Sequence, residues 1–372
     1  MGSSSEELSK LWAAVDAAVE QAGSYGFEPG LVAEGTRFAT ELMRIALELH
    51  CHGQDPLRPA LVPIITPNLR WGWDNPYTTY HHVAIDGTGT YRFHGRRNTS
   101  VYLGFTVYGG GDERAGEMPQ SVLGSINDTD VEVAPDGTWE LTIAAAPRPD
   151  GHEGAWLQVD PDATCVWVRQ YVTDPTDQVL ASVHVERDPV APMPTPLDDA
   201  ELTRRFAAAR RYFEVMWAMS DLVIQGTSGR EPNAFSPPLR GGTPADGRPS
   251  GFMYPTSDNL YTFGRYRLAD DETLLVTVTP LECRYWSFYL GTEFQQSLPY
   301  DLGYGLITRE NAVLDDEGSV TFAIAATDPG VPNWLPTQGH SHGVMATRWL
   351  LPEVDEAPLP TCRLVPTASL SG

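Results

Sequence analysis

The feature that most constrains this chain of 372 residues is that it repeats itself. Trp73-Asp74-Asn75-Pro76-Tyr77-Thr78 resembles Ser257-Asp258-Asn259-Leu260-Tyr261-Thr262, 184 positions on. Val101-Tyr102 and Phe105 match Tyr285-Trp286 and Tyr289 at the same offset. Asp136-Gly137 with Leu141-Thr142-Ile143-Ala144 matches Glu317-Gly318 with Phe322-Ala323-Ile324-Ala325 at 181. Trp156-Leu157 meets Trp334-Leu335 at 178, and Arg169 meets Arg348 at 179. Arg37-Phe38-Ala39 and Arg205-Phe206-Ala207 precede the two series. Five matches in order, with slowly drifting offsets, predict a duplication. Each unit is then a helix followed by an antiparallel β-module.

Local patterns fill in the units. Ser4 and Glu7 form a capping-box pattern, and Leu8, Leu11, Trp12, Val15 and Val19 recur at helical spacing. A second helix is expected from about Thr36 to Leu49. A third opens at Asp198 with Glu201 three residues on. Its apolar stripe is Phe206, Ala209, Phe213, Met216, Trp217 and Ser220, and Arg204, Arg205 and Arg211 fall largely off that stripe, as on a solvated face. Elsewhere short β-branched and aromatic runs, such as 273–279, 285–290 and 319–325, alternate with Asp-Gly and Glu-Gly turns. No strand–helix alternation recurs, which disfavours a doubly wound sheet or a TIM barrel. The expected organisation is a helical segment 1–60, a first β-module 61–190, a helix with a Pro/Gly-rich loop 196–250, and a second β-module 251–372. In residues 226–251 eleven of twenty-six are Gly or Pro. Phe235, Phe252, Met253 and Tyr254 predict that this loop packs over one end of the second module.

Charge and rare residues exclude whole classes of function. The chain carries 49 acidic against 25 basic residues, a net charge of −24, with no broad basic stripe. Nucleic-acid and anionic-membrane partners are therefore not expected. Lys10 is the single lysine, so Schiff-base chemistry, pyridoxal-phosphate enzymes and Walker-type NTPases are excluded. Cys51, Cys165, Cys283 and Cys362 are scattered without a CxxC pair, a pattern of reduced thiols in a cytoplasm. No apolar run approaches the length of a transmembrane helix, and the first residues lack the pattern of a signal peptide.

The segment from Tyr285-Trp286-Ser287-Phe288 through Asn333-Trp334-Leu335-Pro336 to Thr347-Arg348-Trp349-Leu350-Leu351-Pro352 resembles the bacterial domain of unknown function 1214. The turn Glu317-Gly318-Ser319 stands where that family has Asp-Gly-Ser, and Trp349 where it has Tyr. The resemblance is clear over about 255–367 and echoed more weakly in 70–190. It implies a jelly-roll-like β-sandwich, and with the repeat it predicts a mainly β fold with helical additions (α+β): two antiparallel sandwich modules, each preceded by a helix. It implies no shared activity, cofactor or catalytic set. Where the family has a plain connection, this chain has Gly339-His340-Ser341-His342-Gly343.

That pentapeptide matches the G-x-S-x-G nucleophile elbow, but a strand, not a helix, is expected after it. His340 and His342 share a face if extended, as a metal pair would, yet the next carboxylate is the distant Glu353. They read better as polar loop or acid/base groups. His50-Cys51-His52 marks a helix C-terminus. His81 and His82 sit in a strand and face opposite ways. Asp74 and Asp258 either fix the start of a strand as Asx turns or place a carboxylate at an aromatic-lined mouth. Arg348 either pairs internally with Glu293 or Asp258 or holds an anionic ligand. Gly109-Gly110-Gly111 lacks the pattern of a phosphate loop.

The expected function is a cofactor-free enzyme acting on a small organic molecule by hydrolase, lyase or isomerase chemistry. Asp258, His340, His342 and Tyr261 are the expected catalytic residues, and Arg265, Arg348, Tyr254, Trp286 and Trp334 the expected substrate contacts. No metal is expected. A sugar- or apolar-ligand-binding protein and a metal-dependent cupin-like enzyme remain alternatives. A homo-oligomer is compatible with the sequence. The site is expected in the second module, because only that copy combines a carboxylate, paired imidazoles, a guanidinium and a long loop.

Overall fold

Helical spacing of apolar residues builds the first elements. In the computed structural model, which describes residues 2–53, 55–174, 177–194, 196–228, 231–241 and 251–370, α1 (Ser3–Ser24) buries Leu11, Val15, Ala18 and Ala22. The capping box does not form: Ser4 Oγ donates to Asp199 Oδ1 at 2.5 Å instead. α2 (Pro29–Leu47) starts seven residues earlier than expected, with Pro29 in its first turn, and buries Leu31, Phe38, Leu42 and Ile45. It runs on into a π-helical turn, Glu48–His52. α3 (Asp199–Ser228) begins as expected, with Asp198 Oδ1 accepting the Glu201 N–H at 2.8 Å. Arg204 and Arg205 pair with Glu201 but are half-buried and donate to the Arg114 and Cys51 carbonyls, so of the three only Arg211, paired with the exposed Glu117, lies on a solvated face.

The chain divides into two units. The first comprises Met1–Leu69, Tyr77–Met219 and Pro244–Thr256; the second comprises Arg70–Pro76, Ser220–Thr243 and Ser257–Gly372. Residues 70–76 thus belong with the second module and 251–256 with the first, against the expected linear boundaries.

In the first unit the strands are β1 (Val62–Ile65), β2 (Thr78–Ala84), β3 (Thr90–Arg96), β4 (Tyr102–Gly109), β5 (Ser121–Asn127), β6 (Thr138–Ala144), β7 (Ala155–Gln158), β8 (Ala163–Tyr171) and β9 (Ser182–Asp188). They form two sheets, ordered β1-β2-β8-β4-β5 and β7-β6-β3-β9. Both contribute to one core, in which Phe93, Phe105 and Trp139 pack edge to face or tilted.

The second unit holds β10 (Ala234–Phe235), β11 (Leu239–Arg240), β12 (Asn259–Arg267), β13 (Glu272–Val278), β14 (Tyr285–Gly291), β15 (Leu306–Thr308), β16 (Val320–Ala325), β17 (Trp334–Pro336), β18 (His342–Leu350) and β19 (Thr361–Pro366). Its sheets run β10-β12-β18-β14-β15 and β17-β16-β13-β19. From β2 to β9 and from β12 to β19 the order is the same, so each module is a β-sandwich of one repeated design. Both copies even share a short parallel pairing, β6 with β7 and β16 with β17, in otherwise antiparallel sheets.

The register fixes which residues correspond. Tyr80 lies opposite Arg169, and Tyr261 opposite Arg348. The two arginines are therefore equivalent, as the repeat predicted. Asp74 and Asp258 are not. Tyr80 corresponds to Tyr261, which makes Tyr77 the counterpart of Asp258 and leaves Asp74 outside the strand. The match of Tyr102 to Tyr285 across β4 and β14 likewise shifts the expected pairing by one residue. The turn pair holds: Gly137 and Gly318 both have φ near +85° and +81°, which glycine adopts without a Cβ clash.

Part of the expected covering loop is present as β10 and β11, which pair with β12, and Phe235 packs on the second core. Residues 229–230 and 242–250 of that loop lie outside the described residues. Phe252, Met253 and Tyr254 fall in the first unit.

Candidate functional site

Alternation along a strand sends successive side chains to opposite faces. In the second module Leu260, Tyr266, Trp286, Phe288, Met345 and Trp349 enter the core. Tyr261, Phe263 and Arg265, with His342, Val344, Ala346 and Arg348, then occupy the outer face of the same sheet. There Arg348 lies over the Tyr261 ring, 4.8 Å from its centroid, and donates to Tyr289 Oη at 3.2 Å and to the Trp73 carbonyl. The Trp73 ring packs on Phe263 at 4.5 Å. Asp74 is buried and accepts from Ser297 N and Oγ, at 2.9 and 2.5 Å. Burial raises its pKa against those bonds. Residues 70–76 therefore fill this face, and Asp74 fastens them there.

Glu293, in the loop after β14, is almost wholly buried between Arg265 and His342. It pairs with Arg265 and accepts from His342 Nδ1 at 2.7 Å. Burial alone would raise its pKa; the His342 bond and the Arg265 charge outweigh burial and hold it low.

The expected second-module site is thus dispersed or already engaged. Tyr261, Arg265, His342 and Arg348 do share one face. Arg348 meets a carbonyl, a tyrosine hydroxyl and two rings. Asp258 uses its backbone carbonyl to accept Leu351 N at 2.8 Å. His340 precedes β18 and is held by the Thr337 carbonyl at 2.8 Å, so the two histidines do not form an extended pair. Trp286 is a core residue packed on Phe322 and Trp349 and cannot contact substrate. Trp334 lies on β17 of the other sheet, its Nε1 donating to the Ala325 carbonyl at 3.2 Å. Tyr254 belongs to the first module.

In that first module, Arg169 plays the part of Arg348. It donates to Thr106 Oγ1, Tyr108 Oη and the Tyr254 carbonyl, at 3.1, 2.9 and 2.5 Å. The Tyr254 ring stacks on Trp167 at 4.1 Å. Beside these lies a buried polar cluster. His82 Nε2 is 2.5 Å from Glu113 Oε1, with side chains 1% and 7% exposed. Glu113 opens a short 3₁₀ turn after β4, capped by Asp112. Ligand atoms of His82, Glu113 and Cys165 lie within 4.8 Å of one another. Burial, and then the charge and acceptor of Glu113, push the Cys165 thiol up. Burial also raises Tyr212 and Tyr254, with Glu113 adding to both. His50 is fully buried and 5.0 Å from the Tyr212 ring, and burial lowers its pKa to about 4. It lies at the helix end expected from the sequence, as a buried neutral group.

Glu113 also stands in the wall of a cavity of about 480 Å³. Ala84 and Ala163 line it, with Asp86, Asp112, Asp162 and Arg114. By register, Ala84 corresponds to Arg265 and Cys165 to Val344; counted two residues back from Cys165, past a break in the β4–β8 register, Ala163 stands at the place of His342. The side chains that tie up Glu293 in the second module are methyl groups here, and space opens beside the acid instead. Sequence reasoning missed Glu113, Cys165, His50 and Tyr212 because they come from separate stretches without motif spacing. The usable signal was His82, two residues beyond the Tyr80 that matches Tyr261, once the repeat is shifted by three.

A model of a family described as protein of unknown function, DUF1214, matches residues 77–175 and again 258–354. Those starting points reproduce the offset set by the strand register. A crystal structure of an uncharacterized protein from Burkholderia cenocepacia is 30% identical, with a TM-score of 0.84, covering 98% of this chain and 99% of that one. A protein from Vibrio parahaemolyticus is 10% identical with a TM-score of 0.45, over 87% of this chain and 96% of its own. No curated protein matches. The chain belongs to the DUF1214 family, of which it carries two copies.

Proposed function

We propose that this DUF1214 protein is an enzyme acting on a small organic molecule by acid–base chemistry, with its working centre in the first module. The observation that carries this reading is Glu113, a buried carboxylate bonded to His82 and standing in a cavity wall. Paired, desolvated ionisable groups in a cleft are the usual setting for proton transfer. Glu113 takes the proton from a C–H or O–H of the bound molecule, and His82 beside it stabilises or relays that proton. Tyr212 and Tyr254, kept protonated by burial, stand near Glu113 as neutral groups. Three aspartates and one arginine around the cavity favour a neutral or cationic substrate over an anion. A cavity of this size suits a small metabolite. The four free cysteines support a reducing, cytoplasmic setting.

The test is a turnover screen by mass spectrometry over a library of small esters, hydroxy acids, ketones and amines. Glu113→Gln should lower any turnover by about 10²–10⁴-fold, and His342→Ala should leave it within about twofold. Loss in His342→Ala with retention in Glu113→Gln, at matched thermal stability, would return the site to the second module. No turnover of any compound by the wild-type protein would count against an enzyme.

A further inference from the structure

We infer that His82, Glu113 and Cys165 form a site for a zinc-class divalent transition metal. The inference rests on the reading of the first module as the working centre, and adds the cofactor to it.

Three observations carry it. The three residues come from β2, the turn after β4, and β8, and the fold brings their ligand atoms within 4.8 Å of one another. Their chemistry is one nitrogen, one oxygen and one sulfur donor. That set suits borderline-soft Zn²⁺, Co²⁺ or Fe²⁺ and does not suit Mg²⁺ or Ca²⁺, which demand oxygen shells. The third observation is the comparison inside the molecule. At the positions of His82 and Cys165 the second module has Phe263 and Val344, while both modules keep a buried glutamate in the loop after the third common strand, β4 or β14. Glu293 is engaged by Arg265 and His342; Glu113 has two metal-type donors beside it.

Three protein ligands leave a position open, and Glu113 borders the cavity from which water or substrate would reach it. Binding displaces the thiol proton of Cys165 and any proton shared between His82 and Glu113, so uptake of the cation releases protons.

The experiment strips the full-length protein with a chelator and titrates it with CoCl₂ and ZnCl₂. Absorbance follows the thiolate-to-cobalt charge-transfer band, and calorimetry follows stoichiometry. One Co²⁺ per chain, with the band present, is expected. Cys165→Ser should abolish the band, and His82→Ala should weaken binding by more than the roughly 10–100-fold that loss of a supporting residue costs. Cys51→Ser should change neither. Glu113→Gln, close in shape to the native residue, should weaken binding while the band remains at saturating cobalt, which covers the case of a Cys165 variant that does not fold. No stoichiometric binding, or a band that survives Cys165→Ser, would overturn the site. Metal binding without turnover of any compound would retain the site and remove the enzyme reading. Turnover that needs Glu113 in a protein with no cobalt site would do the reverse.

Discussion

Glu293 and Glu113 occupy the same loop in the two copies and meet different company. In the second module the acid lies between Arg265 and His342. In the first those two positions are Ala84 and Ala163, and the vacated volume is a cavity. The arginine on the middle strand is retained in both, over rings and bonded to a backbone carbonyl. Two substitutions thus separate a charge cluster closed by its own partners from an acid that can reach a ligand. The copy with more titratable residues in its motifs is not the copy with room beside them.

Transplanting the difference should have the largest effect. Ala84→Arg with Ala163→His gives Glu113 the partners of Glu293 and fills the cavity. Turnover should fall by more than about 100-fold, while circular dichroism stays unchanged. Unaltered turnover in a folded double variant would break the equivalence of the two loops.

Removing the acid where it is structural should cost stability. Glu293→Ala strands the largely buried Arg265 and His342, and a loss of about 3 kcal/mol is expected in urea unfolding. A change under about 0.5 kcal/mol would mean that the pair is only a surface contact.

Acid should separate the copies more gently. The unfolded chain binds a proton at His50 near pH 6.5, whereas the folded first module resists until about 4. Its stability is therefore complete above pH 6.5 and falls towards pH 4, by at most about 3 kcal/mol. Glu293, whose pKa is lowered, contributes above 4.5 and loses its contribution only as pH falls through its folded value. His50→Asn should flatten the slope between pH 6.5 and 4 and leave the steeper acid limb. An identical slope in that variant would assign the window to other groups.

Much of the fold was legible in sequence, because duplication and strand alternation leave marks at short range. The Asp136-Gly137 and Glu317-Gly318 turns, the Trp156 and Trp334 strands and the Arg169–Arg348 equivalence all rest on local pattern. The same method misaligned Asp74 with Asp258, since Asp-Asn-x-Tyr occurs in both copies three residues out of structural register. The site was harder. Trp286 and Trp334 look like ligand platforms until the alternation of β14 and the place of β17 are known. His82, Glu113 and Cys165 lie 31 and 52 residues apart, and only the antiparallel crossing of β2 with β8 and the return after β4 brings them together.

The membership of residues 70–76 and 251–256 bears on how such a chain is made and inherited. Trp73 and Asp74 leave the ribosome long before β12, β14 and Ser297, the neighbours they need, have been synthesised. The first module in turn waits for Tyr254 to supply the carbonyl of Arg169 and the ring on Trp167. Neither half reaches its final form on domain-by-domain emergence alone, which is the ordinary course for tandem copies. A gene cut at any single point between the modules would yield two fragments, each missing a piece encoded in the other. Once such an exchange arose, the copies could diverge in chemistry but could no longer be inherited apart.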